Sequence, residues 1–102
     1  MTSPTQRSKK KLESEGYLVA IVERWNPFAK VRQDLFGIID IVCLSKNKTI
    51  GVQTTTLGNL NARIEKMKAS DSLSKLKDCG WGIEVHGWRK LKSGWECKII
   101  NL

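Results

Sequence analysis

One apolar segment that contains a single carboxylate constrains this 102-residue chain more than any other feature. In Ile38-Ile-Asp-Ile-Val-Cys-Leu44, every residue except Asp40 is apolar, which is typical of a strand that is covered on both faces of a sheet. An ionised carboxylate in such a strand is costly unless a cation, a metal ion or several hydrogen-bond donors lie beside it. The segment therefore predicts a buried strand with a special environment at Asp40. The alternative is a structural aspartate near a strand end that accepts backbone N–H bonds.

Segments rich in β-branched and aromatic residues alternate with helical patterns along the chain. Strands are predicted at Tyr17–Trp25, Leu35–Leu44, Thr49–Thr56, Trp81–Trp88 and Trp95–Leu102. Helices are predicted from a Ser3 or Thr5 cap to about Ser14, from Leu60 to Met67, and from Ser70 or Asp71 to Gly80. The order α-β-β-β-α-(α)-β-β predicts an α/β fold with a small, largely antiparallel but mixed central sheet flanked by helices and at least one helical crossover.

The charge balance of the chain indicates a polyanionic partner. The chain has 18 Lys and Arg against 10 Asp and Glu, for a formal net charge of +8, and excess cations on a small domain favour nucleic acid through counterion release. The length allows a single domain over residues 1–102 and excludes a multidomain enzyme. No apolar run is long enough to span a bilayer, and the basic N-terminal segment lacks a secretory signal. We therefore expect a cytoplasmic location and no membrane partner.

The predicted strand at Thr49–Thr56 places a second polar group near Asp40. Alternation puts Gln53 and Thr55 on one face, and a hairpin turn before this strand would bring Gln53 within about two residues of Asp40. Carboxylate and amide oxygens are the hard ligands that Mg²⁺ and Mn²⁺ prefer. Asp34, six residues before Asp40, adds a carboxylate at the mouth of the same strand, either as a ligand or as the partner of a neighbouring arginine.

These elements and motifs resemble the PD-(D/E)xK nuclease superfamily, which includes restriction enzymes and Holliday-junction resolvases. The resemblance depends on Asp34-Leu-Phe-Gly-Ile-Ile-Asp40, followed one hairpin later by Gly51-Val-Gln-Thr-Thr55, and it covers nearly the whole chain. Val22-Glu-Arg-Trp-Asn-Pro27 and His86-Gly-Trp-Arg-Lys90 further resemble small phage and bacterial members. The resemblance implies a restriction-endonuclease-like core and metal-dependent cleavage of DNA.

The resemblance also implies roles for individual residues, with one departure from the superfamily pattern. The strand-two aspartate of the pattern binds metal, which implies this role for Asp40. The next strand normally carries Glu-x-Lys, whose glutamate binds metal and whose lysine orients the attacking water, but Gln53 and Thr55 occupy these positions here. The lysine function would then pass to another cation: Lys66 or Arg63 on the following helix, or Lys30 or Arg32 before strand two. The first-helix acid is offered by Glu13 or Glu15, and Glu23 lies at the end of strand one.

The predicted function is therefore a divalent-metal-dependent DNA endonuclease that acts on duplex or branched DNA. Mg²⁺ or Mn²⁺ would be held by Asp40, Gln53 and Asp34, with Thr55 and Lys66 completing the catalytic set. DNA contacts are predicted for nine basic and aromatic side chains: Lys9, Lys10, Lys11, Lys30, Arg32, Arg63, Trp88, Arg89 and Lys90. A two-fold dimer would supply the second site needed to cut both strands.

Two other functions and several structural interpretations stay open at this point. The chain is alternatively a nuclease fold that has lost catalysis and acts as a DNA-binding accessory protein, or an interaction module that engages another DNA-processing protein. His86 is predicted to be a satisfied or exposed sheet histidine rather than a catalytic base. The alternative for Trp88 is a place in the core, and the alternative for Lys9–Lys11 is a solvated helix face.

Overall fold

The computed structural model describes residues 3–102, which form a mixed α/β fold. The helices are α1 (Pro4–Ser14), α2 (Leu60–Lys68) and α3 (Asp71–Asp78), and a short 3₁₀ turn at Leu57–Asn59 leads into α2. The strands are β1 (Leu18–Ile21), β2 (Arg24–Asn26), β3 (Val31–Gln33), β4 (Ile41–Ser45), β5 (Lys48–Thr56), β6 (Gly82–Leu91) and β7 (Gly94–Asn101). None of the helices in this part of the chain has the length and apolar character needed to cross a membrane.

Five of the strands form one mixed sheet in the order β1-β4-β5-β6-β7, and β2 and β3 form a separate hairpin. Strands β1, β4 and β5 are successively antiparallel, β5 and β6 are parallel, and β6 and β7 are antiparallel. Because a parallel pair cannot be joined by a tight turn, the chain crosses one face of the sheet through α2 and α3 between β5 and β6. The predicted mixed sheet with a helical crossover is confirmed.

Helices cover both faces of the sheet. Leu12 of α1 packs on one face, in a buried cluster that also contains Ile41, Cys43, Ile50 and Val52. On the other face, the apolar sides of α2 and α3 pack against a second cluster from the sheet and its loops: Ile38, Ile39, Leu60, Met67, Leu73, Leu76, Ile83 and Val85. The central strand β5 is therefore covered on both sides, and its polar residues Gln53, Thr54 and Thr55 are buried.

The strand predicted at Leu35–Leu44 is shorter than expected. Strand β4 begins at Ile41, and residues 35–39 form a tight loop closed by the Leu35 N–H, which donates to the Ile39 carbonyl at 2.8 Å. Phe36 and Gly37 lie in the left-handed region, with φ of 55° and 78°, a conformation that glycine adopts without strain. Ile38 and Ile39 are buried in this loop, and their apolar side chains reflect this burial rather than membership of a strand.

The strand predicted at Tyr17–Trp25 divides into β1 and β2. The regular pairing of β1 with β4 ends where Ile21 pairs with Ile41, the first residue of β4. The chain then leaves the sheet and forms β2, which pairs with β3, a strand that the sequence did not predict. The observed order is therefore the predicted one with a two-stranded hairpin inserted before β4.

Candidate metal centre

Three carboxylates meet at one end of the five-stranded sheet. Glu23, Asp34 and Asp40 each offer an oxygen atom, and these oxygens all lie within 4.8 Å of one another. Glu23 follows β1, Asp34 follows β3, and Asp40 directly precedes β4. We call these residues the carboxylate cluster.

Main-chain hydrogen bonds place the members of the carboxylate cluster. The N–H groups of Val22 and Glu23 donate to the carbonyl oxygen of Asp40 at 2.8 Å and 3.3 Å, which extends the antiparallel pairing of β1 and β4 by one step. The tight loop after Asp34 turns the chain back, with the Gly37 N–H donating to the Asp34 carbonyl at 3.0 Å. Glu23 is predicted from the sequence to lie at the end of strand one, but it is not among the predicted metal ligands. Antiparallel pairing of the first two predicted strands is the signal that would have placed it beside Asp40.

Hydrogen bonds from Thr54 fix the carboxylate of Asp40, and Thr5 in turn supports Thr54. Its Oδ2 accepts from the Thr54 N–H at 2.9 Å and from the Thr54 hydroxyl at 3.1 Å. The Thr54 hydroxyl lies 2.8 Å from the Thr5 hydroxyl. Because Thr54 donates to Asp40, Thr5 donates to Thr54, and the first turn of α1 thereby supports the orientation of the Asp40 side chain.

The carboxylate cluster is electrostatically unfavourable by itself. Asp40 is only 3% exposed, and burial together with the hydrogen-bonded neighbour Asp34 raises the pKa of Asp40 to about 8, against the opposing effect of the Thr54 N–H. A carboxyl with such a pKa retains its proton at neutral pH unless a cation stabilises the ionised form. The alternative for Asp40 is a structural aspartate that accepts backbone N–H bonds. It accounts for Oδ2, which accepts from the Thr54 N–H, but it does not explain why Glu23 and Asp34 lie beside Asp40.

The carboxylate cluster lines a cleft of about 450 Å³ that also contains cations and hydroxyl groups. Helix α2 supplies Arg63 and Lys66, which are three residues apart and share one face of the helix, and Arg32 Nη1 lies 3.4 Å from Glu23 Oε1. The remaining polar lining comes from the start of α1 and the region where β5 leads into α2: Thr5, Thr54, Thr55, Thr56 and Asn59. The side chain of Asn59, the N-cap of α2, makes no capping hydrogen bond. The structure thus brings together Asp34, Asp40, Thr55, Arg32, Arg63 and Lys66 of the residues that the sequence singled out.

Gln53 does not line this cleft, which corrects its expected place as a metal ligand. The register is as expected: the Asp40 N–H donates to the Val52 carbonyl at 2.9 Å, so Gln53 stands next in line opposite Asp40. Its side chain shares a face with its parallel partner Val85, which belongs to the core under α2 and α3. Gln53 is 1% exposed, and neither Oε1 nor Nε2 has a hydrogen-bond partner among residues 3–102. Glu23 occupies the cleft instead.

Trp88 is also placed differently from the prediction. It is 9% exposed, and its indole N–H donates to the Ser8 hydroxyl at 2.8 Å. The alternation of β6 puts the ring under α1, so the ring is part of the core and cannot stack on a base. Its core interpretation is therefore the correct one.

The predicted basic contacts outside the cleft lie on three separate surfaces. On α1, Lys9 and Lys11 form ion pairs with Glu13 and Glu15, as a solvated helix face does, and Lys10 is exposed. Beyond the Thr56–Trp88 pair of β5 and β6, the exposed residues Arg89 and Lys90 lie at the same end of the sheet as the cleft, with Arg89 Nη2 2.7 Å from Glu96 Oε1. Lys30 is exposed in the turn between β2 and β3.

His86 belongs to a buried hydrogen-bond chain, not to the cleft. The Trp88 indole N–H donates to the Ser8 hydroxyl, the Ser8 hydroxyl is hydrogen-bonded to His86 Nδ1 at 2.9 Å, and His86 Nε2 donates to Glu84 Oε1 at 2.9 Å. The last hydrogen bond holds the pKa of Glu84 below its ordinary value. Ser8 and His86 are fully buried, so this Ser–His–Glu arrangement has no access for a substrate. The predicted satisfied sheet histidine is confirmed.

Comparisons with known proteins give one partial similarity. No protein-family model matches the chain, and no solved structure matches it. The chain is similar to Endonuclease III homolog 2, chloroplastic, of Arabidopsis thaliana, with 35% identity over 65 residues. The matched region is 64% of this chain but 17% of that protein, so the similarity covers a small part of the relative.

Proposed function

We propose that this chain is a divalent-metal-dependent DNA endonuclease whose metal ligands are Asp40, Asp34 and Glu23. The observation that carries the proposal is the convergence of three carboxylates within 4.8 Å, one of them buried, in a cleft that also holds Arg32, Arg63 and Lys66. A metal ion requires anionic ligands, and a phosphodiester substrate requires cations around its phosphate. The cleft offers both.

The side chains present fit Mg²⁺ or Mn²⁺. Three carboxylates offer only oxygen ligands, which these hard ions prefer over nitrogen or sulfur. The raised pKa of Asp40 indicates a ligand set that is repulsive without a cation and stabilised by one.

The residues of the cleft divide into binding and positioning roles. Asp40, oriented by Thr54, would hold the ion together with Asp34 and Glu23. When bound, the ion supplies a water of lowered pKa and a positive charge against the scissile phosphate. Lys66 and Arg63 would bind the phosphate oxygens and stabilise the charge that develops on them. Thr55, to which the resemblance assigns the position of the superfamily lysine, would contribute a hydroxyl to the cleft but no charge.

DNA is the substrate that the chemistry of the surface favours. The net charge of +8 and the cations of the cleft attract a polyanion. The similar Arabidopsis protein is named an endonuclease, which favours a DNA-related role for the matched part of this chain. The strand order also supports a restriction-endonuclease-like core: a three-strand antiparallel meander is followed by a helical crossover to a parallel strand. A two-fold dimer stays a prediction.

The proposed function is tested with supercoiled plasmid and a branched DNA junction, each incubated with Mg²⁺, Mn²⁺ or EDTA. We expect nicked or linear product with either ion and none in EDTA. Cleavage that persists in EDTA at the same rate would contradict a metal-dependent mechanism.

Replacing Lys66 by Ala is expected to lower the rate of cleavage by about 100-fold, because the loss of one charged group from a transition-state site has effects of this order. The matched control is Lys68→Ala, which removes the same charge from the same helix outside the cleft. Equal rates for the two variants would show that Lys66 has no role in catalysis, and another cation of the cleft would then have to stabilise the phosphate.

A second candidate function is DNA binding without cleavage. What favours it is the pair Gln53 and Thr55, because the resemblance to the PD-(D/E)xK nucleases assigns to these positions a glutamate and a lysine that this chain lacks. In that case the affinity for DNA falls steeply with salt concentration, and no product appears with either metal ion.

A further inference from the structure

The hairpin of β2 and β3 is bounded at both ends by the carboxylate cluster. Glu23 directly precedes β2 and Asp34 directly follows β3, and the two strands pair only with each other. The hairpin is therefore joined directly to two members of the carboxylate cluster, Glu23 and Asp34.

The hairpin exposes large aromatic side chains to solvent. Phe28 in its turn is 97% exposed and Trp25 on β2 is 56% exposed. Single exposed apolar residues are ordinary, but two aromatic rings on one ten-residue excursion form a localised surface of the kind that marks a binding site. By contrast, one face of the exposed Trp95 ring on β7 is occupied by a cation, since the Arg7 guanidinium lies 3.6 Å from the centre of the ring.

The turn that carries Phe28 is held in a defined conformation. The side-chain Oδ1 of Asn26 accepts from the N–H of Phe28 at 2.9 Å and from the N–H of Ala29 at 3.1 Å, and Pro27 restricts the backbone between them. A fixed turn lowers the conformational entropy that binding must overcome. The backbone at Phe28 therefore has a defined conformation before a partner binds.

The charges of the hairpin select an anionic partner. Arg24, Lys30 and Arg32 are its charged residues, and no acid lies between positions 24 and 33. Trp25 and Arg32 are directly opposite on the two strands, so they share one face of the hairpin, and Arg32 lines the cleft. Aromatic rings interleaved with cations are the combination that binds single-stranded nucleic acid, because bases stack on the rings while the cations contact phosphates.

We propose that the β2–β3 hairpin stacks unpaired bases on Phe28 and Trp25 and thereby directs the carboxylate cluster to DNA with unpaired bases, such as a branch point or a single-strand gap. This inference rests on the proposed function and specifies its substrate class. An intact duplex offers phosphates to Arg24, Lys30 and Arg32 but no open base faces, so the aromatic rings add little to its binding.

Binding measurements in EDTA separate this inference from catalysis. The affinities of the wild type, Phe28→Ala and Trp25→Ala are measured by fluorescence anisotropy with a gapped or branched DNA and with a duplex of equal length. Each variant is expected to lose about 5- to 150-fold in affinity for the gapped DNA, the range that corresponds to stacking energies of about 1–3 kcal/mol per base, and less than about twofold for the duplex. Trp95→Ala, which removes an exposed tryptophan away from the cleft, is the matched control and keeps both affinities.

Three outcomes would overturn the inference. Unchanged affinity of both hairpin variants for gapped DNA removes the stacking role, while metal-dependent cleavage by the wild type would leave the proposed function intact. An equal loss on gapped DNA and duplex shows that the rings do not read unpaired bases. If the wild type binds no DNA at low salt, the exposed rings serve a protein partner or a lipid surface, and the proposed function fails as well.

Discussion

Replacing Asp40 by Asn is expected to slow metal-dependent DNA cleavage by at least about 1000-fold, because the electrostatic stabilisation that a bound ion supplies amounts to several kcal/mol. Asparagine has the shape of aspartate and still accepts the hydrogen bonds from the Thr54 N–H and hydroxyl. The substitution therefore removes the charge and the ligand strength of Asp40 while the surrounding packing is retained. The rate of plasmid nicking at saturating Mg²⁺ measures the effect.

Asp78→Asn is the matched control for this loss of activity. Asp78 is the last residue of α3 and is exposed, so its neutralisation is expected to change the rate by less than about twofold. If Asp40→Asn cleaves DNA as fast as the wild type, Asp40 is not a ligand, and the assignment of the carboxylate cluster as the metal centre is wrong.

The stability of the metal-free protein is expected to fall as pH rises from about 4 towards 8, because of Asp40. In the unfolded chain this carboxyl has a pKa of about 3.9, and in the folded protein its pKa is raised to about 8. Between these values the folded state holds a proton that the unfolded state has released, so the free energy of unfolding decreases as the pH rises. Above pH 8 both states are ionised and this contribution is constant.

Chemical denaturation of the wild type and Asp40→Asn in EDTA, at pH 5, 6.5 and 8, measures this dependence. The variant lacks the titrating group, so the difference between the two unfolding free energies is expected to grow with pH, and the variant is the more stable protein at pH 8. Added Mg²⁺ in place of EDTA is expected to raise the stability of the wild type, since the ion binds the folded state and not the unfolded chain. It is not expected to stabilise Asp40→Asn, because this variant lacks the central carboxylate ligand. A wild type that stays as stable as the variant at every pH would contradict the raised pKa of Asp40.

The sheet was largely predictable because its strands carry local signals. The hairpin at Ser45–Lys48, the amphipathic helix with Leu60 and Met67, and the crossover to β6 follow from turn residues and periodicity alone. The start of β4 was not predictable in this way. Ile38 and Ile39 have the same apolar character in a buried loop as in a strand, and only the tertiary position of α2 and α3 distinguishes the two.

The candidate site was partly predictable for a related reason. Asp40 stands out because a carboxylate within an apolar run needs an explanation, and Asp34 follows from its proximity in the chain. Whether the side chains of Glu23 and Gln53 reach the cleft depends on the face of the sheet on which each residue lies. Glu23 reaches the cleft through the pairing of β1 with β4, whereas Gln53 shares the buried face of Val85. Neither orientation is encoded in the local sequence.

A titration of the wild type and Asp40→Asn with Mn²⁺ at pH 8, followed by the electron paramagnetic resonance signal of the unbound ion, tests most directly whether the carboxylate cluster is a metal centre. The account predicts that the wild type depletes the signal of free Mn²⁺ in a saturable manner, that Mg²⁺ competes for the same site, and that Asp40→Asn leaves the signal close to that of buffer. No depletion by the wild type, or equal depletion by the variant, would contradict the account.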